Sequence, residues 1–180
     1  MKVTITTEAG KSIEVELTEE QSKDLGLVEK KPRTGYERVG KNGAYYVDDC
    51  CGEINNETEL CLDIDDDCYN AANYYNDYPL AKANARADRL MRQLRRYAAE
   101  HGRIPSSDDW HNHSNMKVAI GYDYKNNKLF IDADRDMRQF GNVYFRSILD
   151  CQNAIKQFKE ELLWYFTEYQ PMHYDQTQGE

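Results

Sequence analysis

The clearest pattern of hydrophobic and polar positions lies over residues 77–101. Its apolar residues recur every three or four positions, which places them in one stripe along a helix. Asp77 suits the N-cap, because its carboxylate can accept from free N–H groups of the first turn. Pro79 lies in the first turn, where a backbone N–H has no partner within the helix. Gly102 is typical of the residue that follows the end of a helix. The pattern predicts one long helix, and its stripe is Leu80, Ala83, Ala87, Leu90, Met91, Leu94 and Ala98.

The first 27 residues predict a small ββα unit. Apolar and polar residues alternate over residues 3–7 and again over residues 13–17, which predicts a β-hairpin. Residues 18–21 read Thr-Glu-Glu-Gln, a capping box that opens a short helix. Residues 28–43 are rich in charged and turn residues without periodicity, so we predict a linker there.

The main domain is predicted to span residues 44–170, and residues 171–180 are predicted to be a frayed tail. Residues 44–47 and 60–64 alternate in the manner of strands, separated by a turn. These two strands precede the long helix. The first part of the domain is therefore predicted to be a hairpin followed by a helix.

The second part repeats this order. Residues 116–124 and 129–133 are predicted strands joined by a tight turn, and Ser147 caps a second amphipathic helix that runs to about Tyr169. An aromatic pair precedes the cap of each helix. We predict an α+β fold in which antiparallel hairpins carry helices on one face, because each module alone is too small to bury its apolar side. The two related hairpin-plus-helix modules are residues 44–103 and 114–170, and the aromatic pairs are Tyr74-Tyr75 and Tyr144-Phe145.

Charge is segregated along the chain, whose net charge is −9. Residues 42–81 hold ten Asp and Glu and neither Lys nor Arg, whereas residues 82–103 hold seven Lys and Arg against two acids. Pairing within the chain explains this arrangement, and so does a charged partner for one of the two surfaces.

Two patterns resemble metal sites. The Asp-x-Asp-x-Asp runs that begin at Asp63 and Asp132 resemble the start of a calcium loop, but the Gly and Glu required at its sixth and twelfth positions are absent. We predict solvated acids at strand ends. His111 and His113 lie in a polar connector, where a metal would bind only adventitiously. We predict no metal site, no cofactor and no catalytic residues; an enzyme remains an alternative only if these His or Asp residues hold a metal.

The cysteines are odd in number and lack the paired C-x-x-C spacing of a zinc ribbon. We therefore predict reduced thiols, and buried ones for the four that lie between residues 50 and 68. The five are Cys50, Cys51, Cys61, Cys68 and Cys151.

The acidic segment is also rich in Tyr, which supplies rigid contact area at protein interfaces. It is therefore predicted to imitate the negative surface of a nucleic acid and to bind a protein partner. The alternative is direct nucleic-acid binding by the basic helix over residues 82–103. The predicted partner-binding residues are Asp48, Asp49, Asp63, Asp65, Asp66, Asp67, Tyr74 and Tyr75, and the alternative phosphate contacts are Arg86, Arg89, Arg92 and Arg96.

Several stretches resemble a known family. They are TGYERV, AYYV followed by a Gly turn, YNAANYYND before the Arg-rich helix, and VYFRS before AIKQFKEELLWYF. The chain resembles uncharacterised small proteins carried by prophages and mobile elements of Firmicutes. That resemblance implies an accessory role in the host, and small acidic proteins of such elements include anti-CRISPR and other anti-defence inhibitors.

We therefore predict a non-enzymatic accessory protein that binds and inhibits a host defence nuclease. No run approaches the roughly 18 apolar residues that span a membrane. The first residues also lack the apolar region of a signal peptide. We expect the protein in the cytoplasm of the host bacterium, without a membrane partner.

Overall fold

The computed structural model describes residues 2–6, 12–18, 21–22, 33–101, 104–134 and 136–173. The chain divides between Arg33 and Thr34 into a small N-terminal unit and a larger unit, Thr34–His173. The predicted α+β class is confirmed, because helices and antiparallel hairpins are both present.

In the N-terminal unit, β1 (Lys2–Thr6) pairs antiparallel with β2 (Ser12–Glu16), as the alternation predicted. The capping box is also present. Thr18 N–H donates to Gln21 Oε1 at 3.0 Å, and Gln21 N–H donates to Thr18 Oγ1 at 3.2 Å. The predicted turn of this hairpin, the end of the helix and the first part of the predicted linker lie outside the described residues.

The first module contains two strands and two helices. The strands β3 (Ala44–Asp48) and β4 (Ile54–Thr58) form an antiparallel hairpin with Ala44 opposite Thr58. Helix α1 (Asp63–Asn70) follows, and then the long helix α2 (Tyr78–His101).

The second module begins after a connector that holds the one-turn helix α3 (Ser107–His111). Its strands β5 (Lys117–Asp123) and β6 (Lys128–Asp134) form the next hairpin. Helices α4 (Ile148–Gln157) and α5 (Lys159–Thr167) complete it.

The two modules share a local plan. Tyr75 extends the first hairpin by pairing with Tyr46, and Phe145 extends the second by pairing with Val118. A capping side chain then starts each helix: Asp77 accepts from the N–H of Leu80, and Ser147 accepts from the N–H of Asp150. All four residues of the aromatic pairs are buried.

Helix α2 supplies the centre of the core. The predicted stripe faces inward, although Ala83 and Met91 are half-buried. Leu90, Leu94 and Ala98 pack in one cluster with residues from β5, α4 and α5. The remaining buried members of this cluster are Tyr97, Val118, Phe145, Cys151, Ala154 and Leu162.

Two predictions about elements need correction. Residues 60–64 do not form a strand, because the chain makes a loop there and α1 begins at Asp63. Acids favour the first turn of a helix, and the carboxylate of Asp65 accepts from backbone N–H groups of the preceding loop. The second long helix is interrupted at Phe158, whose backbone leaves helical geometry (φ −106°, ψ 19°) and whose ring packs edge-to-face on Tyr97. Among the described strands the hairpins remain separate two-stranded sheets.

Residues 34–43, predicted to be part of a linker, belong to the larger unit. Asn42 N–H donates to the carbonyl of Glu59 at 2.7 Å, and Asn76 N–H donates to the carbonyl of Gly35 at 2.9 Å. Their backbone groups therefore stabilise the first module. Among the described residues no helix is long and apolar enough to cross a bilayer.

Candidate protein-binding surface

Two buried carboxylates hold the loop between β4 and α1. Asp65 accepts from the backbone N–H groups of Leu60 and Leu62 at 3.0 and 2.9 Å. Glu59 accepts from the N–H of Cys61 at 2.8 Å. Three successive residues of this loop are thus fixed by carboxylates that lie beneath it, because free N–H groups in a tight loop need acceptors.

Two stacked tyrosines connect these carboxylates to the hairpin. The rings of Tyr45 and Tyr74 are 4.0 Å apart and nearly parallel. Tyr45 donates from its hydroxyl to Asp65 at 2.7 Å, and Tyr74 donates to Glu59 at 2.9 Å. Arg38 completes the network by donating from Nε and Nη2 to both oxygens of Glu59.

The acid–base properties follow from these contacts. Hydrogen bonds from Arg38 lower the pKa of Glu59 to about 2, although burial opposes this. Backbone N–H groups lower the pKa of Asp65. Burial and the neighbouring carboxylate raise the pKa of Tyr74 to about 12 and raise the pKa of Tyr45 as well. Both carboxylates are therefore ionised and both tyrosines protonated near neutral pH, so every hydrogen bond described in this network has a donor and an acceptor.

Above this network the loop and α1 expose apolar side chains among acids. On α1 three acids at i, i+3 and i+4 spacing share the outward face, opposite the buried Asp65. The apolar side chains are between 42% and 62% exposed. We call this surface the acidic–apolar ridge; it consists of Leu60, Leu62, Ile64 and Tyr69 with Glu57, Asp63, Asp66 and Asp67.

Charge on the ridge is mostly uncompensated. Among the described residues, Asp66 forms an ion pair with Arg38, and no ion pair is formed by Asp63, Asp67 or Glu57. Since Arg38 also neutralises Glu59, the exposed face remains negative.

The predicted partner-binding residues are divided by the structure. Asp63, Asp66 and Asp67 lie on the ridge, but Asp65, Tyr74 and Tyr75 are buried and cannot contact a partner from there. The sequence cannot distinguish Asp65 from its neighbours by composition. Burial follows from its position on the inner face of α1.

Of the other two predicted acids, Asp48 is the last residue of β3 and Asp49 begins the β3–β4 turn. Asp49 accepts from the N–H groups of Cys51, Gly52 and Glu53, which accounts for its lowered pKa. Asp48 accepts from the N–H of Cys50 at 3.0 Å. Both carboxylates shape this turn.

The arginines of α2 mostly contact their own chain. Arg86 forms a bidentate pair with Glu161 and its guanidinium lies 3.9 Å from the ring centroid of Trp164. Arg89 donates to the carbonyl of Gly52 at 3.2 Å. Arg92 donates to the carbonyl of Cys50 at 3.5 Å and lies 4.0 Å from Asp48.

These contacts clamp the β3–β4 turn to the helix. Of the four predicted phosphate contacts, Arg96 alone has no contact of this kind among the described residues, and it is exposed. Among the described residues one ion pair, between Arg92 and Asp48, joins the basic helix to the acidic segment, whereas Arg86 pairs with Glu161 of α5.

The candidate thiol and metal sites do not assemble. The prediction of buried thiols between residues 50 and 68 is wrong. Three of these cysteines are exposed, because they lie in a turn or a loop at the surface, and one is half-buried. The exposed ones are Cys50, Cys51 and Cys61, and the half-buried one is Cys68. Cys151 is buried and its pKa is raised to about 12. In the described part of the chain no three His, Cys, Asp or Glu residues are grouped as a metal site would require.

The apolar half of the ridge is not among the residues predicted from the sequence. The alternation of Leu60, Leu62 and Ile64 predicts a strand there instead. The acids at positions 63, 65 and 66 are typical of a first helical turn and were the available signal for a helix start. Neither Glu59 nor Arg38 carries a local signal of the buried pair they form.

Comparison of the chain with protein-family models, curated proteins and solved structures finds no match.

Proposed function

We propose that this protein is a non-enzymatic inhibitor that binds a basic surface of another protein through the acidic–apolar ridge. The observation that carries the proposal is that exposed Leu60 and Leu62 lie on a loop whose backbone is fixed by buried carboxylates, with exposed Ile64 beside them in the first turn of α1. Clustered exposed apolar side chains mark interaction sites. A preorganised loop also loses less conformational freedom on binding.

The charge of the ridge specifies the partner further. Negative potential next to apolar anchors favours a partner whose surface is positive and partly apolar. Proteins that bind nucleic acids present such basic surfaces to the phosphate backbone. Together with the resemblance to prophage accessory proteins, this supports a host defence nuclease as the target, and a CRISPR effector above all. The protein would then act in the host cytoplasm as an anti-CRISPR-like inhibitor.

Direct nucleic-acid binding by α2 is the competing function. It requires several arginines to leave their contacts with Glu161, Gly52 and Asp48. Among the described residues Lys82, Arg95 and Arg96 of α2 are exposed without such contacts, but three of the four arginines predicted to contact phosphate are not. We therefore favour the ridge.

The test compares two variants with the wild-type protein. The ridge variant carries Leu62→Ser, Ile64→Ser and Asp67→Asn, which alter exposed side chains only. The helix variant carries Arg89→Gln, Arg92→Gln and Arg96→Gln, and the exposed polar contacts of Arg89 and Arg92 are worth about 0–1 kcal/mol each. Thermal unfolding first establishes that both are folded.

Each protein is then used to capture partners from host lysate, and the captured nuclease is assayed for cleavage with added inhibitor. We expect the wild-type protein and the helix variant to bind and inhibit, and the ridge variant to lose both. Absence of a bound nuclease, or inhibition lost only in the helix variant, would refute the proposal. Nucleic-acid affinity that falls steeply with salt and disappears in the helix variant would establish the competing function.

A further inference from the structure

A polar cleft of about 340 Å³ lies along one face of α2. The β3–β4 turn lines it through Gly52, β4 lines it through Ile54, and α5 lines it through Glu161. Its volume falls in the range of about 300–1,000 Å³ that is usual for small-molecule sites. Since charged side chains dominate its lining, their chemistry identifies the class of ligand that the cleft would hold.

Helix α2 contributes four polar side chains to the cleft, at i, i+4, i+7 and i+11. This spacing places them on one face of the helix. The first three are cations, and they are spread over about 10 Å of helix at a rise of 1.5 Å per residue. The four are Lys82, Arg86, Arg89 and Gln93.

The cleft is positive in a chain whose net charge is −9. Among the lining residues that the structure describes, Glu161 is the acid, and Arg86 offsets its charge through a bidentate pair. Hydrogen bonds from Arg86 also lower the pKa of Glu161, which keeps this carboxylate ionised near neutral pH. Lys82 and Arg89 form no ion pair within the described part of the chain, so their two positive charges remain uncompensated.

Several donor groups of the cleft are still available. Arg86 donates to Glu161 from Nε and Nη2, and Arg89 donates to the carbonyl of Gly52 from Nη2 at 3.2 Å. Among the residues that the structure describes, neither Nη1 donates a hydrogen bond, and the side chains of Lys82 and Gln93 make none. An anion can therefore be bound here without breaking the contacts that hold the turn and α5 to α2.

We propose that this cleft binds a small molecule that carries two adjoining phosphate groups, as a nucleoside diphosphate or free pyrophosphate does. Guanidinium groups bind phosphate oxygens through paired N–H donors, and lysine adds a compact positive charge. Cations spread over about 10 Å of helix can contact more than one phosphate group, so the lining suits a diphosphate better than a single phosphate. Besides the cations, Ile54 and Ala85 supply apolar area for the organic part of such a molecule, and Gln93 supplies an amide.

The cleft shares no residue with the acidic–apolar ridge, so this proposal does not rest on the proposed function. It also differs from binding of a nucleic acid along α2. The exposed cations Arg95 and Arg96 lie outside the lining of the cleft, whereas a phosphate backbone that follows the helix would use them too.

Calorimetric titration of the full chain with pyrophosphate, ADP and inorganic phosphate tests the proposal. We expect pyrophosphate and ADP to bind with a Kd below about 1 mM at physiological salt, and inorganic phosphate to bind at least about tenfold more weakly because it reaches fewer of the cations. Tighter binding of ADP would identify a nucleotide as the source of the diphosphate, and tighter binding of pyrophosphate would identify the free anion.

Two substitutions in α2 separate the cleft from the general charge of the helix. Lys82→Gln removes a cation that makes no contact in the described structure, so the protein should stay folded while the Kd for pyrophosphate rises about tenfold. Arg95→Gln is the matched control, because it removes an exposed cation of the same helix from outside the cleft, and it should change the Kd less than about twofold. Thermal unfolding verifies that both variants are folded, and the ridge variant should bind pyrophosphate as the wild type does.

Three results would overturn the proposal. The first is no binding of pyrophosphate or ADP at concentrations up to about 10 mM. The second is an equal loss of affinity in Lys82→Gln and Arg95→Gln, which would show attraction to the charge of the helix in general. The third is single-stranded DNA that binds more tightly than ADP and is weakened by Arg95→Gln, which would identify a polynucleotide as the ligand.

Discussion

Removing one oxygen atom from Tyr45 should destabilise the first module measurably. The substitution Tyr45→Phe deletes the hydroxyl that donates to Asp65 at 2.7 Å. The ring itself is buried, and it can keep its stack on Tyr74. The change therefore isolates one buried hydrogen bond to a carboxylate without opening a cavity.

The magnitude follows from what remains after the change. A hydrogen bond to a charged group contributes about 1.5–3 kcal/mol. Asp65 keeps its two donors from the backbone of Leu60 and Leu62, so its charge is not left without partners. We therefore expect a loss near the lower end, about 1.5–2 kcal/mol. Against a typical total of about 5–15 kcal/mol this is a large share.

Urea denaturation at neutral pH measures the loss, and an unchanged m-value would show that the compactness of the two end states is preserved. Tyr124→Phe is the matched control. Its hydroxyl also donates, to the carbonyl of Phe166 at 2.8 Å, but the side chain is exposed and water can replace the bond. We expect a change within about 0.5 kcal/mol for the control. If the two variants lose the same stability, the buried network does not hold the loop as described.

Two further predictions concern pH and the clamped turn. The pKa of Glu59 is about 2 in the folded protein, and its ordinary value is 4.5. Because the folded state lowers this pKa, the ionised carboxylate stabilises the protein above about pH 4.5, and the urea midpoint should fall as the pH drops from about 4.5 towards 2. A midpoint that stays constant over that range would contradict the Arg38–Glu59 pair. Gly52 has φ +119°, a backbone conformation that residues with a Cβ rarely adopt, so Gly52→Ala should cost more than about 1 kcal/mol. Gly40→Ala, with no atom within 4 Å of its Cβ, should change stability by less than about 0.5 kcal/mol, and equal losses at both positions would exclude a turn that requires glycine at position 52.

Local chemistry determined the helices and most of the strands. Asp77 and Ser147 cap their helices as predicted, because a capping side chain bonds to N–H groups only two or three residues away. The stripe of α2 faces the core because helical periodicity alone puts those residues on one side. The hairpin of β5 and β6 follows from alternation around a short turn.

The contacts of the acidic segment were decided by tertiary structure. The alternation of Leu60, Leu62 and Ile64 fits a strand as well as it fits an exposed loop that runs into a helix, and the difference depends on Asp65 and its bond to Tyr45 in another element. Tyr74 and Tyr75 are buried, although tyrosine is a residue type that is common at protein interfaces.

The same limit applies to the charges. Sequence shows that acids and arginines are segregated, but not which of them meet. Arg38 lies 21 residues before Glu59, and Arg86 lies 75 residues before Glu161. Such pairs form only when the core brings distant segments together, since their charges carry no local pattern. The sequence therefore determined the elements of this protein, and the packing of those elements decided which acids and apolar side chains remain on its surface.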